Sequence, residues 1–206
     1  MSAKAKLLDA AVTVIRAKGY AATTVDDLCT AAGVTKGAFF HHFKSKDELG
    51  VVAAEHWSET TGRLFEAARY HAHADPLDRL LGYIDFRRDL LTGDVAEFTC
   101  LVGTMVQETY ESRPGIRDAC ARSIMGHAAT LEPDIRAAIE ARGIEPPWAA
   151  SSLALYIQAV LQGAFTLAKA QGSAEPALQC IDHLRRAVEL MFNRPVTGPQ
   201  EKEANP

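Results

Sequence analysis

Apolar residues recur at helical spacing along nearly the whole chain, and this pattern predicts an all-α protein of about nine helices. The first predicted helix covers about residues 3–18, and Gly19 ends it because glycine tolerates backbone angles that other residues avoid. Its inner face carries Leu7, Ala11, Val14 and Ile15. No alternating run rich in Val, Ile and Thr lies between hairpin turns, so a β-sheet is not expected.

Two short helices joined by a tight turn are predicted next. Thr24 begins the first, with Asp27 at the third position of a capping box. Gly33 ends it, and Thr35 begins a second short helix over residues 36–43. Two short helices around a three-residue turn that starts with glycine have the layout of a helix-turn-helix, whose second helix enters the major groove of DNA.

The remaining predicted helices are longer and are separated by proline, glycine and acidic caps. Ser45-Lys46-Asp47-Glu48 is a capping box that opens a helix to about residue 70. Further helices are predicted over about residues 76–91, 95–111, 114–131 and 134–142, after the Pro146-Pro147 pair, and over residues 176–192. Residues 194–206 are rich in proline, glycine and charge, and we expect them to be disordered.

The charge of the chain is unevenly distributed. The net charge of −4 argues against nucleic-acid binding driven by charge over the whole surface. Residues 1–61 are net neutral, and residues 28–46 contain no Asp or Glu. That acid-free stretch contains Lys36, His41, His42, Lys44 and Lys46. Any contact with DNA is therefore expected to come from this local patch.

Catalytic and metal-binding signatures are absent from the sequence. It has no G-x-S-x-G, no Walker-type glycine loop and no H-E-x-x-H. The cluster His71-Ala-His73-Ala-Asp75 is an incomplete ligand set for a metal, so a solvated helix end or loop is favoured. We expect neither a cofactor nor a metal. The four cysteines are far apart and show no metal or redox spacing, which indicates reduced thiols in a cytoplasmic protein.

One uncharged segment is long enough to span a membrane, residues 146–168. Its polar residues form a single narrow stripe at helical spacing, which is typical of a helix buried on most sides in a bundle, and no membrane location is expected. The stripe consists of Ser151, Gln158, Gln162 and then Lys169. A signal peptide is not expected either, because Asp9 and Arg16 interrupt the first apolar stretch.

The segment from Thr24 to Leu49 resembles the signature of the TetR family of transcription regulators, and the match covers roughly residues 3–60. The Ala-Gly-Val-Thr-Lys-Gly core, the His-Phe pair and the Ser-Lys-Asp-Glu-Leu cap carry the resemblance. It implies a three-helix DNA-binding domain over residues 1–61, with phosphate contacts from Thr24, His41, His42 and Lys46. It also implies that Thr35, Lys36, Gly37, Ala38 and Phe40 approach the base edges.

The resemblance leaves alternatives at this site. The family usually has tyrosine where this chain has Phe40, so a hydroxyl contact is lost, while an apolar contact with a thymine methyl remains open. The ring of His42 could instead be buried against the first helix, and Lys36 could be a solvated lysine. The whole segment could be a packing unit with the shape of a helix-turn-helix that never meets DNA.

Resemblance further implies that residues 62–193 form a helical ligand-binding and dimerisation domain. An apolar pocket could be lined by Phe65, Tyr83, Phe86, Phe98, Cys100, Leu101, Met105, Met125, Trp148 and Tyr156, although core packing explains each of them singly. Cys100 weakly resembles a cysteine that senses electrophiles in one subgroup, and a buried inert thiol is the alternative.

The last two predicted helices are the expected homodimer interface. The first of them carries the small residues Ala159, Gly163 and Ala164, and the second carries an apolar stripe of Ala177, Ile181, Leu184, Val188 and Met191. The alternative is that both helices pack inside one monomer.

The sequence thus predicts a dimeric repressor that binds a palindromic operator in double-stranded DNA and is released by a small apolar or amphipathic effector. The alternatives are an enzyme or carrier with a helical pocket, and an activator or architectural DNA binder without an effector.

Overall fold

The computed structural model describes residues 1–193, which form α-helices and one 3-10 helix and contain no strand. The α-helices are α1 (Ala3–Lys18), α2 (Val25–Ala32), α3 (Lys36–His42), α4 (Lys46–Glu66), α5 (Pro76–Asp89), α6 (Val95–Phe98), α7 (Leu101–Thr109), α8 (Pro114–Ala129), α9 (Glu132–Arg142), α10 (Ala150–Gln171) and α11 (Glu175–Met191). The 3-10 helix is Arg69–Ala72. The prediction of an all-α fold is confirmed. The predicted disordered tail, residues 194–206, lies outside the described residues.

The described residues contain eleven α-helices rather than about nine, and two predicted helices differ from the observed ones by more than two residues. The helix expected over residues 95–111 is interrupted, because Thr99 is buried in an extended conformation and Cys100 caps a new helix, with its Sγ accepting from the backbone N–H of Gly103 at 3.4 Å. The helix expected to reach residue 70 ends at Glu66. Beyond it, Tyr70 lies in a 3-10 turn, where its ring is buried against Tyr83 and Phe86.

The chain forms two compact units. The first combines residues 1–68 with residues 92–130, so α6, α7 and α8 pack with α1 to α4 around one apolar core. Its fully buried side chains include Leu7, Ile15, Leu28, Phe39, Leu49 and Met105. Within this unit the helix-turn-helix segment therefore shares its core with residues that follow it by more than 50 positions.

The second unit combines residues 69–91 with the chain from residue 131 onward, and its helices α5, α9, α10 and α11 pack together. Gln158, on the predicted polar stripe, is buried, and its Nε2 donates to Tyr83 Oη at 3.1 Å. The predicted apolar stripe of α11 also points into this unit, since Ala177, Ile181, Leu184 and Val188 are almost completely buried. For these four residues the expectation that the stripe faces a partner is wrong, whereas Met191, the last residue of the stripe, is 36% exposed.

The helix α10 is long and apolar enough to cross a membrane by length and composition. Of its most apolar 18-residue window, 44% is buried inside the structure. A core helix of a soluble protein has the same properties, so the helix is weak evidence for a membrane span.

Candidate nucleic-acid interface

The short helix α3 is anchored from behind and presents its other side to solvent. The Phe39 side chain is completely buried, and the Phe43 ring behind it is 2% exposed, with the two ring centroids 5.8 Å apart. These rings fix the rotation of the helix about its own axis, because large buried side chains tolerate little displacement. The residues left exposed on or before the helix are Thr35, Lys36, Gly37, Phe40 and His41, whereas Ala38 and His42 are half-buried.

Local caps position both helices of the motif as the sequence predicts. Thr24 Oγ1 accepts from the backbone N–H of Asp27 at 3.1 Å, while Asp27 Oδ2 accepts from the backbone N–H of Thr24 at 2.7 Å. Gly33 has φ 62° and ψ 41°, and a Cβ there would meet nothing within 4 Å, so conformation rather than space requires glycine. Thr35 Oγ1 accepts from the backbone N–H of Ala38 at 3.2 Å. Its own hydroxyl proton remains able to donate to a ligand.

Cys29 packs inside the motif. Its side chain is buried, and its backbone carbonyl accepts from the N–H of Val34 at 3.0 Å. Burial raises the pKa of the Cys29 thiol, and the nearby Asp26 acts in the same direction. The thiol is therefore protonated and serves as a small apolar group.

An acidic residue lies beside the candidate reading face, which the sequence does not reveal. Lys36 Nζ and Asp26 Oδ1 form an ion pair at 2.7 Å, and both side chains are more than half exposed. Hydrogen bonding to Asp26 raises the pKa of Lys36. Asp26 precedes the acid-free stretch in sequence, but the turn between α2 and α3 brings it back to the start of α3. This ion pair occupies one of the three N–H donors of the Lys36 ammonium.

The ammonium group of Lys46 lies against the turn between α1 and α2. Its Nζ donates to the backbone carbonyls of Tyr20 at 3.0 Å and Thr23 at 2.8 Å, and it lies 4.4 Å from the centroid of the Tyr20 ring. Burial lowers the pKa of Lys46, with a further contribution from Arg113. Two of its three N–H donors are thus used inside the protein. The phosphate contact expected of Lys46 stays a prediction.

The same turn is also held by Glu108 on α7 and by a second side chain of α4, Asp47. The carboxylate of Glu108, on α7, accepts from the backbone N–H groups of Tyr20 at 3.2 Å and Ala21 at 2.7 Å. Asp47, on α4, accepts from Tyr20 Oη at 2.5 Å and from Arg113 Nε at 2.9 Å. Burial opposes ionisation of Asp47, but these hydrogen bonds hold its pKa below the ordinary value. Sequence reasoning missed this network, because its hydrogen-bonded partners are as many as 88 positions apart.

The two histidines of α3 occupy different environments. His41 is exposed and His42 is half-buried, and their ring centroids are 4.9 Å apart with the planes nearly perpendicular. His42 is therefore neither enclosed against α1 nor fully open to solvent. Both lie at the C-terminal end of α3, where positive charge is favoured by the helix dipole.

The ten pocket candidates fall into both units. In the first unit, Leu101 and Met105 are completely buried and Phe65 is 7% exposed, while Phe98 and Cys100 are half-buried and Met125 is 56% exposed. In the second unit, Tyr83 is buried, Phe86 and Trp148 are half-buried, and Tyr156 is 41% exposed. Met125 and Tyr156 therefore lie on the surface of the single chain, and the predicted pocket lining stays a prediction.

The exposed side of α10 is apolar over most of its length. Leu155, Tyr156 and Leu167 are 46%, 41% and 50% exposed, and Ala159 and Gly163 lie exposed between them. On the buried side, Ala164 packs into the second unit, so two of the three small residues singled out in the sequence are available to a partner.

Comparison with known proteins gives matches along most of the chain. Residues 7–50 match the family described as bacterial regulatory proteins, tetR family, and residues 76–184 match the family described as tetracyclin repressor-like, C-terminal domain. The transcriptional regulator AcuR of Cereibacter sphaeroides is 30% identical over 102 residues, which are 50% of this chain and 47% of that protein. The chain thus aligns with about half the length of AcuR.

Other matches extend further along the chain. The HTH-type transcriptional repressor DhaR of Mycobacterium sp. is 26% identical over 82% of this chain and 84% of its own length. A TetR-family regulator from Agrobacterium tumefaciens has a similar structure, with a TM-score of 0.78 at 19% identity over 90% of this chain and 96% of that one. A cysteine mutant of the regulator CifR, in complex with a 26-base-pair operator duplex, has a TM-score of 0.74 at 21% identity over 89% and 95% of the two chains. At these identities the two structures establish the similarity of the fold.

Proposed function

The chain belongs to the TetR family of bacterial regulatory proteins, and we propose on this basis that it is a DNA-binding transcription regulator of the cytoplasm rather than an enzyme. Residues 1–61 would bind DNA and residues 62–193 would bind an effector and form the dimer. We further propose that it is a repressor, as the name of DhaR states for that relative.

The outer face of α3 is the observation that carries this proposal. It combines an exposed lysine, a hydroxyl, a glycine that permits close approach and an exposed aromatic ring, without an acid on the helix itself. A recognition helix needs short or hydrogen-bonding side chains of this kind, because base edges in the major groove offer donors, acceptors and methyl groups. We assign base contacts to Thr35, Lys36, Gly37, Ala38 and Phe40, and phosphate contacts to Thr24, His41 and His42.

A homodimer through α10 and α11 would supply two copies of α3 to one duplex. The support is the exposed apolar side of α10, since a contiguous apolar surface of this kind is typical of an interface. In a two-fold dimer the same surface meets itself, and the two half-sites are then related as a palindrome. Their centres would be about one helical turn, ~34–36 Å, apart or a multiple of it.

Regulation would come from a small apolar or amphipathic effector bound by residues 62–193. Such an effector releases the operator only if it binds the two states of the protein with different affinity, and the coupling between two such sites is typically about 1–3 kcal/mol. The apolar side chains of the pocket candidates support an effector of this class.

Selection of bound duplexes from random DNA tests the proposal directly. We expect an inverted repeat to emerge, because both the dimer and the two reading helices are needed to produce one. Lys36→Ala should then change the preferred bases as well as the affinity. Arg136→Ala, which removes the same charge from the exposed surface of α9, is the matched control and should leave the preferred sequence unchanged.

The contrary results are equally clear. Recovery of random sequences would exclude a sequence-specific regulator. A single unrepeated half-site would exclude the two-fold arrangement on DNA. If Lys36→Ala weakened all duplexes by the same factor, Lys36 would contact the phosphates and not the bases.

A further inference from the structure

Phe40 is an unusual surface residue. Its side chain is 56% exposed, and no other large apolar side chain within residues 2–61 is exposed to a comparable degree. The ring meets the buried ring of Phe39 edge to face, with centroids 5.1 Å apart. The remaining face of a well-positioned aromatic ring thus points to solvent from the middle of α3.

The neighbours of Phe40 determine what kind of surface could cover it. Lys36 and His41 on the same helix, and Thr35 at its start, all carry hydrogen-bonding groups and are exposed, whereas the phenyl ring offers neither a donor nor an acceptor. Against a polar base edge, the ring would displace water from a donor or acceptor and provide no replacement, which is unfavourable. The C5-methyl group of thymine is the apolar feature of the major groove.

We propose that Phe40 makes recognition of DNA by this protein depend on the C5-methyl group of a pyrimidine, supplied by thymine in ordinary DNA and by 5-methylcytosine in methylated DNA. The inference rests on the proposed function, because it requires α3 to lie in the major groove. It adds a chemical class of target that the helix-turn-helix alone does not specify. The two methylated pyrimidines differ at C4, which a phenyl ring cannot distinguish by hydrogen bonding.

The size of the effect follows from the group that is buried. Removing one methyl-sized group from water changes an equilibrium constant about fourfold. A two-fold complex makes the contact twice, so removing both methyl groups should weaken binding about 16-fold, provided that the two half-sites contribute independently.

The test uses the full chain and a duplex obtained by the selection described above. Each symmetry-related pair of thymidines is replaced by deoxyuridine, which removes only the methyl groups, and the Kd is measured by fluorescence anisotropy at constant salt. We expect one pair of positions to show a loss of about 16-fold. In Phe40→Ala the same replacement should have little effect, and in Phe40→Tyr, which keeps the ring, the dependence on the methyl groups should remain.

Cytosine supplies the second arm of the test. At the methyl-sensitive position, duplexes with cytosine and with 5-methylcytosine are compared, and methylation should strengthen binding about fourfold per half-site in the wild type and not in Phe40→Ala. The exposed position of Phe40 indicates that both variants fold, which circular dichroism and the Tm verify.

Several results would overturn the inference. If no thymidine pair is sensitive to loss of its methyl groups, Phe40 does not read them. If the sensitivity persists in Phe40→Ala, the methyl groups act through another residue or through the shape of the DNA. In both cases a selected inverted repeat would leave the proposed function intact. If the selection yields no preferred duplex, the proposed function fails and the inference fails with it.

Discussion

The substitution Lys46→Met tests whether this lysine supports the turn between α1 and α2. Methionine keeps most of the aliphatic stem and removes the ammonium group, together with its hydrogen bonds to the carbonyls of Tyr20 and Thr23. The Tyr20 carbonyl also accepts from the backbone N–H of Thr23 at 3.2 Å, so the Thr23 carbonyl suffers the larger loss.

The expected loss of stability can be worked from these contacts. A hydrogen bond to a charged group contributes about 1.5–3 kcal/mol, and a partly exposed cation–π contact about 0.5–1 kcal/mol. Lys46 is only half-buried, so the lower values apply, and methionine regains some apolar contact. We therefore expect the free energy of unfolding to fall by about 2–3 kcal/mol. For a chain of this size the Tm should fall by about 5–10 °C.

Thermal unfolding followed by circular dichroism measures this loss, and Lys44→Met is the matched control. Lys44 is exposed two positions earlier and, within residues 1–193, its ammonium forms no hydrogen bond or ion pair, so the control removes the same charge without the carbonyl contacts. Its Tm should change by less than about 1 °C, as for other surface substitutions. An equal Tm for both variants would refute the assigned supporting role.

Salt dependence of DNA binding then separates support from direct contact. If Lys46 acts only on the turn, the affinity of Lys46→Met falls while the slope of log K against log salt is unchanged. If Lys46 contacts a phosphate in each half-site, as the sequence predicts, the slope should decrease by about 1.8, that is about 0.9 for each of the two contacts. A decrease of that size would show that the third N–H of the ammonium reaches DNA.

Two further substitutions test the ion pair beside α3 and the dimer surface. Asp26→Asn frees Lys36 from its exposed partner and removes a negative charge beside DNA, so binding to unrelated duplexes should strengthen about threefold to tenfold at low salt. Asp118→Asn on α8 is the control, and equal affinities of the two variants for DNA would show that the Asp26 carboxylate does not weaken binding. The second substitution, Leu155→Glu, places a charge on the exposed side of α10 and should convert the dimer to a monomer in analytical ultracentrifugation. Leu64→Glu is the control, because Leu64 is 45% exposed and Leu155 is 46% exposed, and it should leave the mass unchanged. A dimer that survives Leu155→Glu would show that the exposed side of α10 is not the dimer interface.

The helix-turn-helix could be predicted closely because its signals are local. A threonine cap acts on an N–H three residues away, and a glycine with positive φ ends a helix without help from distant residues. Thr24, Gly33 and Thr35 therefore begin and end α2 and α3 where the sequence indicates. The same reasoning failed at Thr99, because the signal for the break is burial of that residue within the first unit, which no local pattern encodes.

Apolar periodicity identified the buried face of α11 but not its partner. The stripe that includes Ile181 and Leu184 could pack against a second copy or against the same chain, and helical spacing is identical in both cases. In the structure α5 and α10 pack against α11, so most of this stripe is buried within the same chain. The surface that remains available to a second copy is the exposed side of α10.

The sequence by itself determined the helical class, the motif and the family, since caps, turn glycines and apolar spacing act over a few residues. Only the tertiary structure revealed that Lys46 and Glu108 hold the turn before α2, and that Asp26 pairs with Lys36. The spacing of these contacting residues along the chain follows no recognisable pattern. The contacts exist because packing around a shared core brings their helices together.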